Sequence, residues 1–315
     1  MRIFTKSPTV VTTLEPHAFG TFMEMLPDLV GCMREWIIRL SDSALPRAAF
    51  GGGDTGLVVT AAPGPGGPGL RVYASQRASR DASDDATLVY EPGTGRLEAI
   101  FLGPTLGRMR TGLLGGVAAG LLAPHSSGRA AIVGCGGQAL AQALVLAATR
   151  PQWQFGVYGR SAQSRHTFIE TLRSLSGIRA QNCHSAQEAV ADASVVVVAT
   201  SSDRPVVEAD WVDAAATILH IGPKCMERCD LPVALYQSAR TVVTDAPAQL
   251  RANWPDSILR RARISPEDVV SVADLIRSKV ELEGPAIFHS LGLAGTEVLL
   301  ARELVARTAT HGIFP

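Results

Sequence analysis

Ala130-Ala131-Ile132-Val133-Gly134-Cys135-Gly136-Gly137-Gln138-Ala139 is the stretch that decides the fold. Its first four residues are short, apolar and end on β-branched side chains, as a strand buried on both faces requires. From Gln138 to Thr149, Ala139, Leu140, Ala143, Leu144, Leu146 and Ala147 recur at helical spacing with no Gly or Pro among them. Between strand and helix lies G-x-G-x-x-A. Gly134 permits the tight turn, Gly136 removes the Cβ from the path of a pyrophosphate, and Ala139 lets the helix pack against the strand. With Gly137 and Gln138 at the helix start, free N–H groups and the helix dipole face the phosphates. The stretch predicts a dinucleotide site.

The next strand, Phe155-Gly156-Val157-Tyr158, ends in Gly159-Arg160-Ser161, where an NAD site places Asp or Glu on the ribose 2′-hydroxyl. A guanidinium and a hydroxyl bind a 2′-phosphate that a carboxylate would repel. Arg160, Ser161 and, one turn on, Arg165 therefore favour NADP(H), with NAD(H) as the other possibility. Downstream, Ser194 to Ala199, Thr217 to Gly222 and Thr241 to Asp245 read as further strands, with helices at Ser161 to Leu175 and Ser185 to Ala191. The sheet is expected to be parallel for most of its width. Ligands lie beyond the carboxyl ends of such strands, which brings Thr200 and Ser201 toward the cofactor.

Before Pro124 the text changes. Leu57-Val58-Val59-Thr60 and Leu70-Arg71-Val72-Tyr73-Ala74 predict strands joined by a long turn over Ala61 to Gly69. Ala86 to Tyr90 and Leu97 to Phe101, separated by Glu91-Pro92-Gly93-Thr94-Gly95, predict a hairpin, and Met109 to Leu122 a helix. The fold class is thus α/β: a Rossmann-type doubly wound parallel sheet beside an α+β domain, with the boundary between Pro124 and Arg129.

The 315 residues balance 29 Lys and Arg against 29 Asp and Glu, so nothing points to nucleic acid. Met1 to Glu24 lacks the apolar core and cleavage pattern of a leader, and no run reaches membrane-spanning length. A cytoplasmic protein is expected. Five scattered cysteines without paired C-x-x-C spacing predict neither a disulfide framework nor a metal site. Among the histidines, His220 on a buried strand reads as structural and His289 as a packed or pocket-lining residue.

Taken in order, Leu45-Pro46-Arg47, Gly69-Leu70-Arg71-Val72, Arg110-Thr111, the glycine turn with Gln138, Ala199-Thr200-Ser201-Ser202 and Phe288-His289-Ser290-Leu291-Gly292-Leu293-Ala294 resemble the ornithine cyclodeaminase/μ-crystallin family over nearly the whole chain. The resemblance implies a substrate and dimerisation domain built from residues 1–125 and completed by 290–315, with the Rossmann domain, residues 126–289, inserted. It implies a returning helix at Glu297 to Thr308, a homodimer, and chemistry at the α-carbon of a small amino or imino acid. Arg47 and Arg110 match the positions of the carboxylate-binding arginines, and Thr111, Ser290 and Gly292 fall on cofactor-contacting positions.

Two departures bear on the reaction. Arg71 stands where the family commonly has a lysine, and arginine anchors a carboxylate but is a poor proton shuttle. Lys224 stands where cyclodeaminases have an aspartate, and its charge would repel an ammonium-bearing substrate. Lys224 suits the recognition of an acidic group or, with its pKa lowered by desolvation, the role of general acid toward an imine. The expectation is an NADP(H)-dependent oxidoreductase acting on CH–NH2 or C=N groups: a ketimine or cyclic-imine reductase, or an amino-acid dehydrogenase. A lyase using tightly bound NAD(P), and a non-catalytic protein whose small-ligand pocket is regulated by NADP, remain the alternatives.

Overall fold

The computed structural model describes residues 9–11, 16–41, 47–50, 56–64, 67–74, 85–123, 127–278, 282 and 284–311. Two compact units divide the chain. One comprises Met1–Phe22, Arg39–Arg110 and Leu293–Pro315, the other Met23–Ile38 and Thr111–Gly292.

The first unit carries a six-stranded sheet of β1 (Thr9–Val11), β2 (Arg47–Phe50), β3 (Leu57–Gly64), β4 (Gly67–Ala74), β5 (Asp85–Tyr90) and β6 (Leu97–Leu102), in the order β1-β6-β5-β4-β3-β2. β1 runs parallel to β6 and every other pairing is antiparallel. β5 alternates buried and half-buried residues, the period-two pattern of a sheet covered on one side. The C-terminal helix, Thr296–His311, packs against β3, β4 and β5. Between β3 and β4 the expected long turn is much shorter than the Pro/Gly content suggests: the ladder continues through Pro63↔Pro68 to Gly64↔Gly67. The two prolines pair with each other, so neither deprives a non-proline partner of a donor.

The second unit holds an eight-stranded sheet: β7 (Arg129–Val133), β8 (Gln154–Tyr158), β9 (Gln181–Asn182), β10 (Val195–Val198), β11 (Thr217–His220), β12 (Thr241–Thr244), β13 (Val270–Ser271) and β14 (Ala286–His289). Every pairing is parallel, in the order β13-β12-β14-β11-β10-β7-β8-β9. The run β9-β8-β7-β10-β11 is the 3-2-1-4-5 order of a dinucleotide-binding sheet. β14 then slots between β11 and β12, making a strand of Ala286 to His289, which the sequence alone presents only as part of a motif. All four valines of β10 are fully buried, each contributing about 1.5 to 3 kcal/mol of apolar burial.

Helix α1 (Pro16–Ser41) is absent from the sequence expectation. Phe22, Met25, Leu26, Leu29, Met33, Trp36, Ile37 and Leu40 line its buried face at helical spacing, and it passes through Pro27. α2 (Thr105–Leu122) begins four residues before the expected Met109. α3 (Gly137–Thr149) and α4 (Ala162–Ser176) match the expected spans to within one residue at each end. Gly112 and Gly115 of α2 lie directly against the Ala141 carbonyl and the Gln142 amide of α3, with no room for a Cβ. Gln142 Nε2 donates to the Thr111 carbonyl (2.9 Å). Among the described residues no helix is long and apolar enough to cross a membrane.

Candidate active site

The glycine turn closes β7 as the sequence predicts. Gly134 has φ +121°, its N–H donates to the Tyr158 carbonyl (2.8 Å), and a Cβ there would collide with the Ala199 carbonyl. Gly136 caps α3 without any side-chain hydrogen bond, and a Cβ at Gly136 would meet no protein atom within 4 Å. Ala139 is fully buried behind it. An uncapped helix start under open space can receive an anion on the N–H groups of its first turn. Gln138 adds a buried Oε1 that has no donor among the described residues, which suits a ribose hydroxyl. These residues fit a dinucleotide. Cys135 packs against Gly159 within the turn, and burial pushes its thiol up to about 11, so it is an unreactive filler.

At the end of β8, Arg160 is exposed, and Ser161 caps α4 by accepting the Ser164 N–H (3.3 Å). No carboxylate interrupts Gly159-Arg160-Ser161. Arg165 is placed differently from these two. It is buried and donates to the Gly159 carbonyl (2.7 Å) and Asn182 Oδ1 (2.9 Å), bracing the ends of β8 and β9.

The ends of β10, β11, β12 and β14 gather a second group of polar residues. Thr200 donates through both its N–H (3.1 Å) and Oγ1 (2.8 Å) to Asp230 Oδ2, and Ser201 beside it is exposed. Asp245 accepts the N–H groups of Leu291 (2.8 Å) and Gly292 (2.9 Å), with Ser290 Oγ at 3.5 Å and Gly292 at φ +78°. Asp245 thus sets the shape of the Ser290–Gly292 loop. Lys224 Nζ donates to the carbonyls of Gly222 (2.6 Å) and Ile221 (3.2 Å). Burial pushes the Lys224 ammonium down to about 8 against the pull of Asp230 and Asp245, so it is charged at neutral pH yet a readier proton donor than an ordinary lysine.

His220 and His289 are register partners on β11 and β14, and Tyr236 of the short helix Val233–Ser238 bridges them. Tyr236 Oη lies 2.5 Å from His220 Nδ1 and 2.7 Å from His289 Nδ1, and His220 Nε2 is 2.7 Å from Asp230 Oδ1. Asp230, Tyr236 and Asp245 are the residues that sequence reasoning missed; none sits in a recognisable motif.

In the first unit a buried charge cluster surrounds Arg71. Its Nε and Nη2 bind both oxygens of Asp85 (2.9 and 2.5 Å), and its guanidinium lies 4.5 Å from the Tyr73 ring centroid. Gly107 of α2 gives it room, since a Cβ there would clash with Nη2. Glu297, 1% exposed, accepts from Thr60 Oγ1 (2.6 Å) and lies 4.0 Å from Arg71 Nη1 and 3.6 Å from Arg110 Nε. Burial pushes the Glu297 carboxyl up, but Arg110, Arg71 and Thr60 outweigh it and hold it below the usual carboxylate range. Arg110 is buried, and its Nε and Nη1 have no hydrogen-bond acceptor among the described residues. Thr111, next in α2, is buried as well. The side chain of Arg47 lies outside the described residues, although its backbone pairs with Thr60 in β2 and β3. Among the described residues, no group of three or more His, Cys, Asp or Glu is placed to hold a metal ion.

The family model of the ornithine cyclodeaminase/mu-crystallin family matches residues 72–310. The chain belongs to that family. Relatives within and around it include the ketimine reductase mu-crystallin of Mus musculus, 28% identical over 229 residues, or 72% of this chain and 70% of the relative. A delta(1)-pyrroline-2-carboxylate/delta(1)-piperideine-2-carboxylate reductase of Azospirillum brasilense is 28% identical over 254 residues, 78% of this chain and 74% of the relative. Among solved structures, the Thermococcus litoralis delta(1)-pyrroline-2-carboxylate reductase in complex with NADH and L-proline superposes with a TM-score of 0.82 at 19% identity, covering 97% of this chain and 98% of that one. An archaeal alanine dehydrogenase dimer with bound NAD gives 0.77 at 23% identity, covering 98% of each chain. The likeness to these solved structures extends over nearly the whole chain and so takes in the residues of both sheets.

Proposed function

We propose that this family member is a nicotinamide-dependent oxidoreductase that reduces the C=N bond of an α-imino acid to an amino acid, with NADPH favoured over NADH. The observation that carries it is the uncapped glycine turn at the end of β7, beside a β8 end that offers Arg160 and Ser161 and no carboxylate. Bound reduced nicotinamide supplies hydride to the α-carbon of the substrate. The chain's own residues do the rest. The Gly134-to-Ala139 turn and the start of α3 take the pyrophosphate, with Thr111, Ser201, Ser290 and Gly292 assigned to the remaining cofactor contacts. Arg160 and Ser161 take the 2′-phosphate through charge-assisted hydrogen bonds. The unsatisfied Nε and Nη1 of Arg110, helped by Arg47, hold the substrate carboxylate. Arg71 has two donors committed to Asp85, so it orders the cluster around Glu297 rather than shuttling protons.

Lys224 gives its proton to the imine nitrogen, leaving an amine once hydride reaches the carbon. Its charge disfavours a diamino-acid substrate such as ornithine, which sets the lyase reading behind the reductase. We further infer a homodimer through the first unit, where Phe50 and Leu57, paired across β2 and β3, are 58% and 50% exposed.

The test is titration with NADPH and NADH, followed by the nicotinamide absorbance against a panel of cyclic and linear imino acids. NADPH-selective binding with oxidation by a panel member supports the reading. Ammonia release from an amino acid with no net change in cofactor would replace it with the lyase, and no binding of either nucleotide would overturn it.

A further inference from the structure

The Asp230, His220, Tyr236, His289 cluster is not used by the chemistry above, yet all four residues are at most 1% exposed. Four buried polar side chains are tolerated only if every group is satisfied. Here the geometry fixes one arrangement of protons. His220 Nε2 faces two acceptors, Asp230 Oδ1 (2.7 Å) and the Pro223 carbonyl (3.1 Å), so it carries the hydrogen. Burial lowers the affinity of His220 for a second proton, which leaves Nδ1 bare to accept from Tyr236 O–H at 2.5 Å. Tyr236 Oη must then accept, and His289 Nδ1 donates to it at 2.7 Å. His289 is likewise neutral, held well below the ordinary imidazole range by burial and by the charge of Lys224. Every donor points the same way: His289 to Tyr236, Tyr236 to His220, His220 to Asp230. Thr200 closes on the other oxygen of Asp230 with two more donors. Asp230 is a carboxylate on which the whole array converges.

Asp230 sits against Gly222, where any Cβ would collide with its carboxylate, and His220 Nε2 grips the Pro223 carbonyl. The carbonyls of Ile221 and Gly222 in that same turn receive Lys224 Nζ. The array therefore touches the backbone that holds Lys224 at two points, and supplies a negative charge beside it. We propose that Asp230 and His220, seated by Tyr236, His289 and Thr200, are positioning residues that fix the Ile221–Lys224 turn and keep the half-buried Lys224 ammonium charged. The inference rests on the reading of Lys224 as the proton donor, and it accounts for why a half-buried lysine is tolerated there. The groups facing Lys224 are the carboxylates of Asp230 and Asp245, which favour its charge, the Cys225 thiol, the Cys229 thiol, which burial pushes up to about 11 and so leaves uncharged where Lys224 titrates, and His220 and His289, which are neutral in this arrangement.

The chain has only three lysines, Lys6, Lys224 and Lys279, so a protein labelled with 13C at lysine Cε gives three signals. Lys224 is assigned by loss of its signal in Lys224→Met. Titration of the full-length protein with NADP+ added is expected to show one lysine ionising well below the other two. Asp230→Asn keeps the shape and removes the charge, and is expected to lower that midpoint by about one pH unit or more. Tyr236→Phe removes one oxygen and breaks the array at its centre. It is expected to reduce kcat about tenfold or more, with unchanged NADPH affinity and a smaller downward shift of the midpoint. A Lys224 midpoint unmoved by Asp230→Asn would overturn the proposal, as would a kcat unmoved by Tyr236→Phe. If Lys224→Met instead keeps full turnover, the proton-donor reading of Lys224 falls by itself, while the midpoint still reports whether Asp230 holds its charge.

Discussion

Glu297→Gln tests the buried charge cluster of the first unit. The substitution keeps an acceptor for Thr60, whose bond to Glu297 is 2.6 Å, and removes only the charge. Arg71 and Arg110 carry two positive charges against Asp85 and Glu297, and Asp85 is already paired bidentately with Arg71. The variant leaves Arg110 as a buried cation whose nearest carboxylate, 3.6 Å away, is gone. Breaking a buried pair by removing one partner costs roughly 3 to 5 kcal/mol, and retention of the Thr60 bond places the expected loss near ~3 kcal/mol. The effect has a definite pH sign. The folded-state pKa of Glu297 lies below its ordinary value, so its stabilisation is present above the unfolded pKa and is lost as pH falls through the folded one. The gap between parent and variant is therefore expected to be full at pH 7 and to narrow below about pH 4.3.

The assay must see the right unit. All four tryptophans, Trp36, Trp153, Trp211 and Trp254, lie in the second unit, so urea unfolding is followed by far-ultraviolet circular dichroism as well as fluorescence. A variant within 0.5 kcal/mol of the parent at pH 7, on the order of the scatter for unremarkable surface substitutions, would refute the claim that Glu297 is the counter-ion of Arg110.

Gly134→Ala forces a side chain into φ +121° and against the Ala199 carbonyl, and is expected to abolish nucleotide binding and lower the melting temperature, as read by scanning fluorimetry with and without NADPH. Arg160→Ala is expected to weaken NADPH about 10- to 100-fold while leaving NADH unchanged, measured by nicotinamide fluorescence; equal losses for both would reject the 2′-phosphate assignment. With a Lys224 pKa of about 8, kcat/KM should fall as pH rises through that value, because the proton donor is lost. Lys224→Met should cut the rate about 100-fold or more and erase that limb from the pH profile.

The dinucleotide half was legible because its signals are local. A β-branched run, a glycine turn and a helical repeat lie within twenty residues, and the exposed Arg160 and Ser161 follow the next strand. α1 was legible in principle, since Phe22 to Leu40 keep helical spacing, but Pro16, Gly20, Pro27 and Gly31 obscure it and burial overrides their propensities. The charge cluster and the histidine array were not legible for a different reason. Thr60 and Glu297 are 237 positions apart, and Tyr236 and His289 are 53 apart. Only the insertion of β14 beside β11 makes His220 and His289 neighbours, and no periodicity encodes strand order. Arg165 shows the converse: its place one turn into a helix suggests phosphate contact, while its partners are the Gly159 carbonyl just past the end of β8 and the Asn182 side chain of β9.

The position of β14 also governs how this chain can be made. β12 and β13 precede it in sequence, yet they reach β11 only through it. While the ribosome is still adding residues before Ala286, the sheet can grow outward from β7 and must stop at β11, with that edge open and the segment of β12 and β13 waiting unpaired. The first unit waits longer still, because its helix at Thr296–His311 brings Glu297 to Arg71 and Arg110. Nascent chains halted shortly before residue 286 should accordingly be protease-sensitive from Thr241 onward and bind holdase chaperones, and emergence of residues 286–311 completes both units within one late event.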